Sequence, residues 1–334
     1  MHNFKNYKEI PAGEKKMARK IIVLMSTYNG ERYLEEQLQS IINQKFEGNI
    51  RCRVELLVRD DGSKDGTVGI LKKYEEKGLL HYYTGENIGF QKSFWDLLRQ
   101  ADDADYYAFS DQDDVWFEDK LSRAVNRLSY EESENIPLLY CSAVVRVDKE
   151  LHSLNDDVVY EQSASDFPHL IMESVLTQGC TCVFNCKARQ YMAEYNMEKY
   201  SDMKWGHDEL AGKIVSLLGK VVYDEKPGMF YRVHGNNVCA RKKENLVQEV
   251  ILKIKKILAF LFHCGHVRSR VARVLEEIYG DKIADNENAR CLHEVAHYRE
   301  SFRNTVTFLK DRAFRTGGVK HDLFLFIKIL VRKI

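Results

Sequence analysis

Acidic and hydrogen-bonding residues recur in this sequence directly after short apolar runs. Two such segments are Ser-Thr-Tyr-Asn-Gly-Glu at 26–31 and Arg-Asp-Asp-Gly-Ser at 59–63, and a third is Ser-Asp-Gln-Asp-Asp at 110–114. Carboxylates packed closely together repel each other, and a divalent cation usually relieves that repulsion. Asp111 and Asp113 therefore predict a cation site. A cation held there could also neutralise a bound diphosphate.

The segment at 61–67 also has interpretations that involve no chemistry. Asp-Gly-Ser and Asp-Gly-Thr are common in turns and at helix N-termini. The same stretch imitates a calcium loop, but Lys72 stands at the twelfth position, where that loop needs a glutamate. No glycine-rich phosphate loop follows any predicted strand, so a bound diphosphate would depend on a metal for neutralisation.

The apolar runs before these segments predict the elements that position them. Runs at 21–25, 54–58, 81–84 and 106–109 predict buried strands, and helical apolar spacing follows the first three. Alternating strands and helices require parallel crossovers, so the first 120 residues predict a doubly wound α/β sheet. Ligands bind beyond the carboxyl ends of such strands, where the polar segments would meet.

The pattern changes after residue 120. Strands are predicted at 138–147, 181–184, 221–223 and 229–233, and helices at 207–218 and 246–262. The first 240 residues carry 30 Lys and Arg against 39 Asp and Glu, whereas the last 94 carry 20 against 11 and contain no proline. We therefore expect an α/β domain over 1–240 and a basic helical region over 241–334.

Composition excludes several classes of protein. A chain with 44% hydrophobic and 30% charged residues is neither disordered nor fibrous. The polar first twenty residues predict no secretory signal, and no run reaches the roughly 20 apolar residues that cross a membrane. The eight cysteines have no paired CxxC spacing, so we expect reduced thiols in a cytoplasmic protein.

Taken together, the polar segments resemble glycosyltransferase family 2. The similarity covers roughly residues 20–240 and lies, in the family's order, in the segments 26–31, 60–67, 87–89 and 111–116. The residues at 110–116 and the segment Tyr-Arg-Val-His-Gly-Asn-Asn at 231–237 are similar to the sequences of the bacterial rhamnosyltransferase branch. The resemblance implies a GT-A fold, in which a Rossmann-like nucleotide-binding half and an acceptor half share one mixed sheet. A C-terminal helical extension would follow it.

The resemblance also implies roles for individual residues. Asp111 and Asp113 match the D-x-D motif, which would bind Mg²⁺ or Mn²⁺ on the donor diphosphate, with His234 as a further ligand. His234 is equally compatible with a structural role, and Lys92 with a solvated position on a helix. The residues implied to bind the donor nucleotide are Thr27, Tyr28, Glu31, Asp60, Asp61, Lys92, Asp111, Gln112, Arg232 and His234.

The predicted reaction needs a base that removes the proton of an acceptor hydroxyl. The family keeps an acidic catalytic residue where Trp-Gly-His-Asp-Glu opens a predicted helix at 205–209, and the resemblance assigns the base to Asp208. Glu209 is the alternative, and without the resemblance Asp208 would be read as a charge at a helix N-terminus. Gly179, Trp205 and His207 are implied to face the acceptor and the donor sugar.

We therefore expect inverting transfer of L-rhamnose from dTDP-β-L-rhamnose to a hydroxyl of a growing, lipid-linked, cell-surface polysaccharide. Another hexose from a UDP- or GDP-sugar is the alternative. Two remote alternatives are a haloacid-dehalogenase phosphatase, whose nucleophile pattern matches residues 111–115, and a non-catalytic sugar-nucleotide binding protein. No nucleic-acid motif is present. The apolar, basic end at 323–334 predicts contact with the inner face of the plasma membrane, and the helix at 246–262 predicts packing or a homodimer.

Overall fold

The computed structural model describes residues 18–46, 51–131, 135–158, 166–172, 178–203, 205–234, 267–284, 286–315 and 319–330. The helix predicted at 246–262 lies outside these residues, as do 235–237 of the predicted donor segment and the last four residues. The expected boundary near residue 240 therefore stays a prediction.

Strands and helices alternate between residues 19 and 110, and two or more strands follow one another in places after that. The strands are β1 (Arg19–Thr27), β2 (Cys52–Asp60), β3 (His81–Thr84), β4 (Tyr106–Ser110), β5 (Val115–Trp116), β6 (Leu138–Ser142), β7 (Val144–Val147), β8 (Ser153–Val158), β9 (Val183–Asn185), β10 (Lys220–Asp224) and β11 (Met229–Arg232). The helices are α1 (Leu34–Ile42), α2 (Thr67–Glu76), α3 (Phe90–Gln100), α4 (Lys120–Glu131), α5 (Phe167–Met172), α6 (Cys186–Glu194), α7 (His207–Leu218), α8 (Val267–Tyr279), α9 (Glu287–His297), α10 (Phe302–Lys310) and α11 (Val319–Leu330).

A seven-stranded mixed sheet forms the centre of the molecule, in the order β10-β6-β9-β4-β1-β2-β3. β1 lies parallel to β2 and β4, with Val23 opposite Leu56 and Ala108. The five residues Ile-Ile-Val-Leu-Met at 21–25 are buried because helices cover both faces of the sheet. Thr27 pairs with Asp60, so these parallel strands end at one edge. The predicted α/β sheet is confirmed.

The long strand predicted at 138–147 is wrong. The chain breaks at Ala143 into β6, which stays in the large sheet, and β7, which joins a second sheet in the order β5-β11-β7-β8. Ala143 N–H donates to the carbonyl of Asp224, and its carbonyl accepts from Gly228 N–H, both at 3.0 Å. The segment leading into β11 thus occupies both backbone groups of Ala143, and the direction of the chain changes there.

The described C-terminal helices pack against the α/β part. Val271, Leu275 and Tyr279 of α8 are buried in the same hydrophobic cluster as residues of the central sheet. The Tyr279 hydroxyl donates to the carbonyl of Tyr191 on α6 at 2.8 Å. Among the described residues, no helix combines the length and the apolar character that crossing a membrane would require.

Candidate active site

The loop that follows β2 (residues 60–67, here the β2 loop) closes on Asp60. Both oxygens of this carboxylate accept hydrogen bonds: Oδ1 from the N–H of Ser63 at 2.9 Å, and Oδ2 from the hydroxyl of Thr27 at 3.1 Å. The Ser63 hydroxyl also donates to Oδ2, at 2.5 Å. Thr27 and Asp60 are both buried. These two predicted donor-binding residues therefore hold the β2 loop against the end of β1. Their contact with a nucleotide stays a prediction.

Asp61 ties the β2 loop to the segment before α3. Its carboxylate accepts from the N–H groups of Ile88 at 3.0 Å and Gly89 at 2.9 Å. It also accepts from the buried Arg59 guanidinium at 3.1 Å. Gly89 has φ +82°, which only glycine adopts readily. Asp61 is 2% exposed, so protein groups occupy its oxygens.

Tyr28 is held at the sheet edge by its backbone. Its N–H donates to Gln112 Oε1 at 2.8 Å, and its carbonyl accepts from Gln112 Nε2 at 3.0 Å. The ring is 47% exposed. A Cβ on Gly30 would overlap the Gln112 amide, so glycine at 30 leaves the amide room to make these two bonds. Gln112 thus positions Tyr28, whose ring is available to a ligand.

Two further predicted donor residues lie near the first turns of helices. Glu31 Oε2 accepts from Gly66 N–H at 2.5 Å, directly before α2 begins at Thr67. A carboxylate there satisfies a free N–H of the helix N-terminus and suits its partial positive charge. Lys92 lies exposed on the first turn of α3. Its predicted contact with phosphate stays a prediction.

The loop after β4 (residues 111–114, here the β4 loop) concentrates carboxylates. Burial and the charges of Asp113 and Asp208 raise the pKa of Asp111 to about 7, although Lys120 opposes the shift. Burial and the charges of Asp113 and Asp111 raise the pKa of Asp114 well above its usual range. The carboxylates repel one another, and the opposing effect of Lys120 does not offset the raised pKa of Asp111. The β4 loop is therefore ready to accept a cation.

Lys120 is a buried cation beneath the β4 loop that sequence reasoning missed. Its ammonium donates to the carbonyl of Cys180 at 2.7 Å and lies 3.2 Å from the centre of the Trp116 ring. Burial lowers the pKa of Lys120 to about 7. The available signal was a lysine on the apolar face of the helix that starts at 120.

The predicted metal ligands Asp113 and His234 lie in contact. His234 Nε2 is 2.8 Å from Asp113 Oδ2, and the imidazole packs on Tyr33 with ring centroids 5.1 Å apart. Carboxylate oxygens with one imidazole nitrogen form a donor set that Mg²⁺ or Mn²⁺ accepts. The crowded carboxylates of the β4 loop fit such an ion, because its charge would offset their repulsion.

Asp111, Asp114 and Cys180 also place potential ligand atoms within 4.8 Å of one another. Burial raises the pKa of the Cys180 thiol well above its usual value. The thiol therefore stays protonated, and a protonated thiol is a poor metal ligand. Asp114 Oδ1 already accepts from Arg232 N–H at 3.0 Å. Cys180 and Asp114 therefore form a structural contact between the β4 loop and the segment before β9, and Asp111 remains the predicted metal ligand of this trio.

The structure changes the interpretation of Arg232, which was expected to meet the diphosphate. The side chain is 2% exposed, and its guanidinium donates to the carbonyls of Asp113 at 2.8 Å and Lys149 at 2.5 Å. It also pairs with Glu36 and covers the Tyr33 ring at 4.4 Å. Arg232 therefore supports the β4 loop from below.

The predicted base lies at the start of α7. Asp208 is partly exposed, and its oxygens accept from Gly179 N–H at 3.1 Å and from Glu209 N–H at 2.8 Å. The Asp208 charge contributes to the raised pKa of Asp111, so the two carboxylates lie close enough to repel each other. Glu209, in contrast, forms an ion pair at 2.8 Å with the buried Lys213. Asp208 is thus the better placed of the two candidates.

Trp205 and His207 do not face the sugar side as expected. The His207 ring stacks on Phe94, with centroids 4.0 Å apart, and burial lowers its pKa. Trp205 is 4% exposed and stacks on Tyr195. The Trp205 ring is large and mostly apolar, so packing under the loops suits it. Both ring nitrogens of His207, in contrast, are buried without a hydrogen-bond partner among the described residues. Gly179 is required above His207, because a Cβ there would overlap the imidazole.

Comparison with known proteins agrees with this geometry. The model of the family described as "Glycosyl transferase family 2" matches residues 22–184. The dTDP-rhamnosyl transferase RfbG of Shigella flexneri is 30% identical over 229 residues, which cover 64% of this chain and 72% of that protein. The chain belongs to glycosyltransferase family 2. As a member of this family, it transfers a sugar from a nucleotide-sugar donor.

Other similar proteins support the same assignment. The uncharacterized glycosyltransferase alr2836 of Nostoc sp. is 26% identical over 234 residues, which cover 65% of this chain and 66% of that protein. The crystal structure of S. aureus TarS 1-349 in complex with UDP-GlcNAc aligns with a TM-score of 0.51 at 17% identity, covering 93% of this chain and 81% of that one. This glycosyltransferase therefore has the GT-A fold that the sequence predicted, and the phosphatase interpretation is dropped.

Proposed function

We propose that this glycosyltransferase is an inverting, metal-dependent rhamnosyltransferase that uses dTDP-β-L-rhamnose. The choice of donor rests on its similarity to RfbG, whose name states a dTDP-rhamnosyl transferase. The likeness to TarS supports the fold alone. Transfer of another hexose from a UDP- or GDP-sugar is the alternative donor chemistry.

The position of Asp208 is the observation that carries the proposed mechanism. The carboxylate is partly exposed beside the β4 loop, and two backbone N–H groups orient it. It would accept the proton of an acceptor hydroxyl as that oxygen attacks the anomeric carbon from the face opposite the departing diphosphate. A positioned base is typically worth ~10²–10⁴-fold in rate.

The donor would lie along the sheet edge above the β2 loop and the β4 loop. The exposed Tyr28 ring would pack against the nucleotide, and Gln112 would keep that ring in place. Asp111, Asp113 and His234 would hold Mg²⁺ or Mn²⁺. When bound, the cation would neutralise the charge of the donor diphosphate.

A lipid-linked saccharide is the proposed acceptor, reached from the cytoplasmic face of the membrane. Four apolar residues of α11 are exposed at i, i+3, i+4 and i+7 spacing: Leu323, Phe326, Ile327 and Leu330. Ile329, which lies to one side of this stripe, is buried. The sequence adds Lys and Arg at 320, 328, 332 and 333. An apolar stripe with nearby cations suits an anionic bilayer surface, where each cation contributes roughly 1 kcal/mol.

The donor experiment incubates full-length protein with dTDP-, UDP- and GDP-sugars, with and without Mn²⁺ or Mg²⁺, and measures nucleotide release. We expect dTDP-rhamnose to be consumed fastest and only with a divalent cation. Faster use of a UDP- or GDP-sugar would overturn the rhamnose assignment. Undiminished activity after chelation would overturn the metal requirement.

The membrane experiment compares flotation of full-length protein with anionic and neutral vesicles. The double variant Leu323→Glu and Phe326→Glu should lose binding to anionic vesicles. Tyr130→Glu is the matched control, because Tyr130 is 84% exposed on α4 and lies outside the stripe. Equal flotation of the double variant and the wild type would contradict the membrane contact.

A further inference from the structure

A second group of metal-ligating side chains lies on the C-terminal helices. Glu276 of α8 faces His293 and His297 of α9, and these three residues are here called the C-terminal cluster. His293 Nδ1 lies 2.9 Å from Glu276 Oε1, and His297 Nε2 lies 2.6 Å from Glu276 Oε2. One potential ligand atom from each residue falls within 4.8 Å of the other two.

The fold holds the cluster in place. His293 and His297 are four residues apart on α9, so they share one helix face, with ring centroids 4.4 Å apart. The opposite face of α9 packs into the core through Leu292 and Val295, which are buried. Leu275, the neighbour of Glu276 on α8, is buried in the same core. Core packing of both helices therefore determines the spacing of the three ligands.

The contacts of His297 also suit a metal ligand. While Nε2 points at Glu276, the other ring nitrogen, Nδ1, lies 2.6 Å from Glu300. A metal-bound histidine almost always donates its second N–H to a carboxylate or a carbonyl, which fixes the tautomer and the ring orientation. Glu300 supplies that partner, and it lies three residues after His297.

We propose that the C-terminal cluster binds one divalent transition-metal ion of the zinc class. Two imidazole nitrogens and one carboxylate oxygen are a common ligand set for Zn²⁺, whereas Mg²⁺ prefers oxygen ligands. The ion would lie between Glu276 and the two rings and replace their direct hydrogen bonds. The exposed side of His293 leaves a fourth position open to water.

Such an ion would join α8 to α9 and so stabilise the helical region on the α/β part. α8 ends at Tyr279, whose hydroxyl donates to α6, and Lys282 just beyond it pairs with Glu194 of the same helix. This proposal does not depend on the proposed transfer reaction. Zinc bound here would raise thermal stability without replacing Mg²⁺ or Mn²⁺ in turnover.

The test uses full-length protein that has been treated with a chelator and then supplied with excess Mg²⁺, which occupies oxygen-rich sites. Zn²⁺ is titrated by calorimetry and by thermal unfolding, and Co²⁺ is followed by its visible absorption. The variants are His293→Ala, whose side chain is exposed, and Glu276→Gln. His81→Ala is the matched control, because His81 is an exposed histidine outside the C-terminal cluster, 3.7 Å from Glu75. Circular dichroism without metal verifies that each variant folds.

We expect one equivalent of Zn²⁺ to bind the wild type and the control and to raise the Tm of both. Loss of an outer-shell partner lowers metal affinity roughly 10- to 100-fold. Each cluster variant removes a direct ligand and should therefore lose at least that much Zn²⁺ affinity. Glu300→Gln should fall within that range. Equal Zn²⁺ affinity in His293→Ala and the wild type, or no Tm change with Zn²⁺, would overturn the proposal and leave a hydrogen-bonded helix contact only.

Discussion

The β2 loop and the β4 loop both place neighbouring aspartates at the same edge of the central sheet, but the protein surrounds them differently. In the β2 loop, Asp60 and Asp61 accept hydrogen bonds from backbone N–H groups, two hydroxyls and a guanidinium. In the β4 loop, the half-buried carboxylate of Asp111 and the buried carboxylate of Asp114 lie beside other carboxylates, and the pKa of each is raised.

The difference shows how similar residues serve separate tasks. Carboxylates that accept several hydrogen bonds are stabilised as anions and hold a loop in one conformation. Carboxylates crowded together without enough donors are costly in the free protein and gain most from a cation. The β2 loop therefore builds the shape of the edge, and the β4 loop provides its charge.

The largest effect is expected from Asp208→Asn, because Asp208 is the proposed base. Its charge also adds to the repulsion among the carboxylates of the β4 loop. Loss of the proposed base should lower kcat by ~10²–10⁴-fold and leave donor binding nearly unchanged. Steady-state kinetics with nucleotide-binding measurements check this. Glu209→Gln is the control and should lose far less activity, because Glu209 pairs with Lys213. A variant Asp208→Asn that keeps more than a tenth of the rate would move the base elsewhere.

Asp61→Asn tests the hydrogen-bonded side of the comparison. The change removes the negative charge that faces the buried Arg59 guanidinium, and it weakens the hydrogen bonds from the N–H groups of Ile88 and Gly89. We expect the free energy of unfolding to fall by about 3 kcal/mol, at the low end for a broken buried pair, because Asp96 still contacts Arg59. Urea denaturation measures this loss. Stability equal to that of the wild type would show that the β2 loop does not depend on this carboxylate.

Of the two loops, only the β4 loop should be stabilised by Mn²⁺. At a concentration of 100 Kd, a bound ion adds about 2.7 kcal/mol to the free energy of unfolding. Asp113→Asn should abolish this gain and leave the metal-free protein as stable as the wild type, since one repelling charge is removed. Asp61→Asn should keep the gain. Denaturation with and without Mn²⁺ distinguishes the two, and an equal Mn²⁺ effect in both variants would contradict the comparison.

The smallest effect is expected from Glu31→Gln, in the segment that joins β1 to α1. The carboxylate accepts from Gly66 N–H where α2 begins, so losing its charge should cost about 1 kcal/mol of stability. The Mn²⁺ response should not change. Thermal unfolding with and without Mn²⁺ measures both quantities. A reduced Mn²⁺ response would connect Glu31 to the metal and blur the distinction between the loops.

Local patterns in the sequence were sufficient to predict the strands and helices from β1 to β4 and the polar segments at the ends of these strands, but not the short β5. Apolar periodicity identifies elements because burial follows the geometry of a strand or helix, and parallel strands carry their ends to one edge. The same reasoning located α7 at 207–218, and Asp208 at its start, as the structure has them.

Only the tertiary structure decided which polar groups meet and which side chains are buried. The Asp61 carboxylate accepts hydrogen bonds from Arg59 and from the N–H groups of residues 88 and 89. Arg232 lies under the β4 loop, and His207 stacks in the core. The break at Ala143 likewise depends on a segment more than eighty residues away. Hydrogen-bond partners and burial arise from contacts between distant parts of the chain, and sequence periodicity carries no record of them.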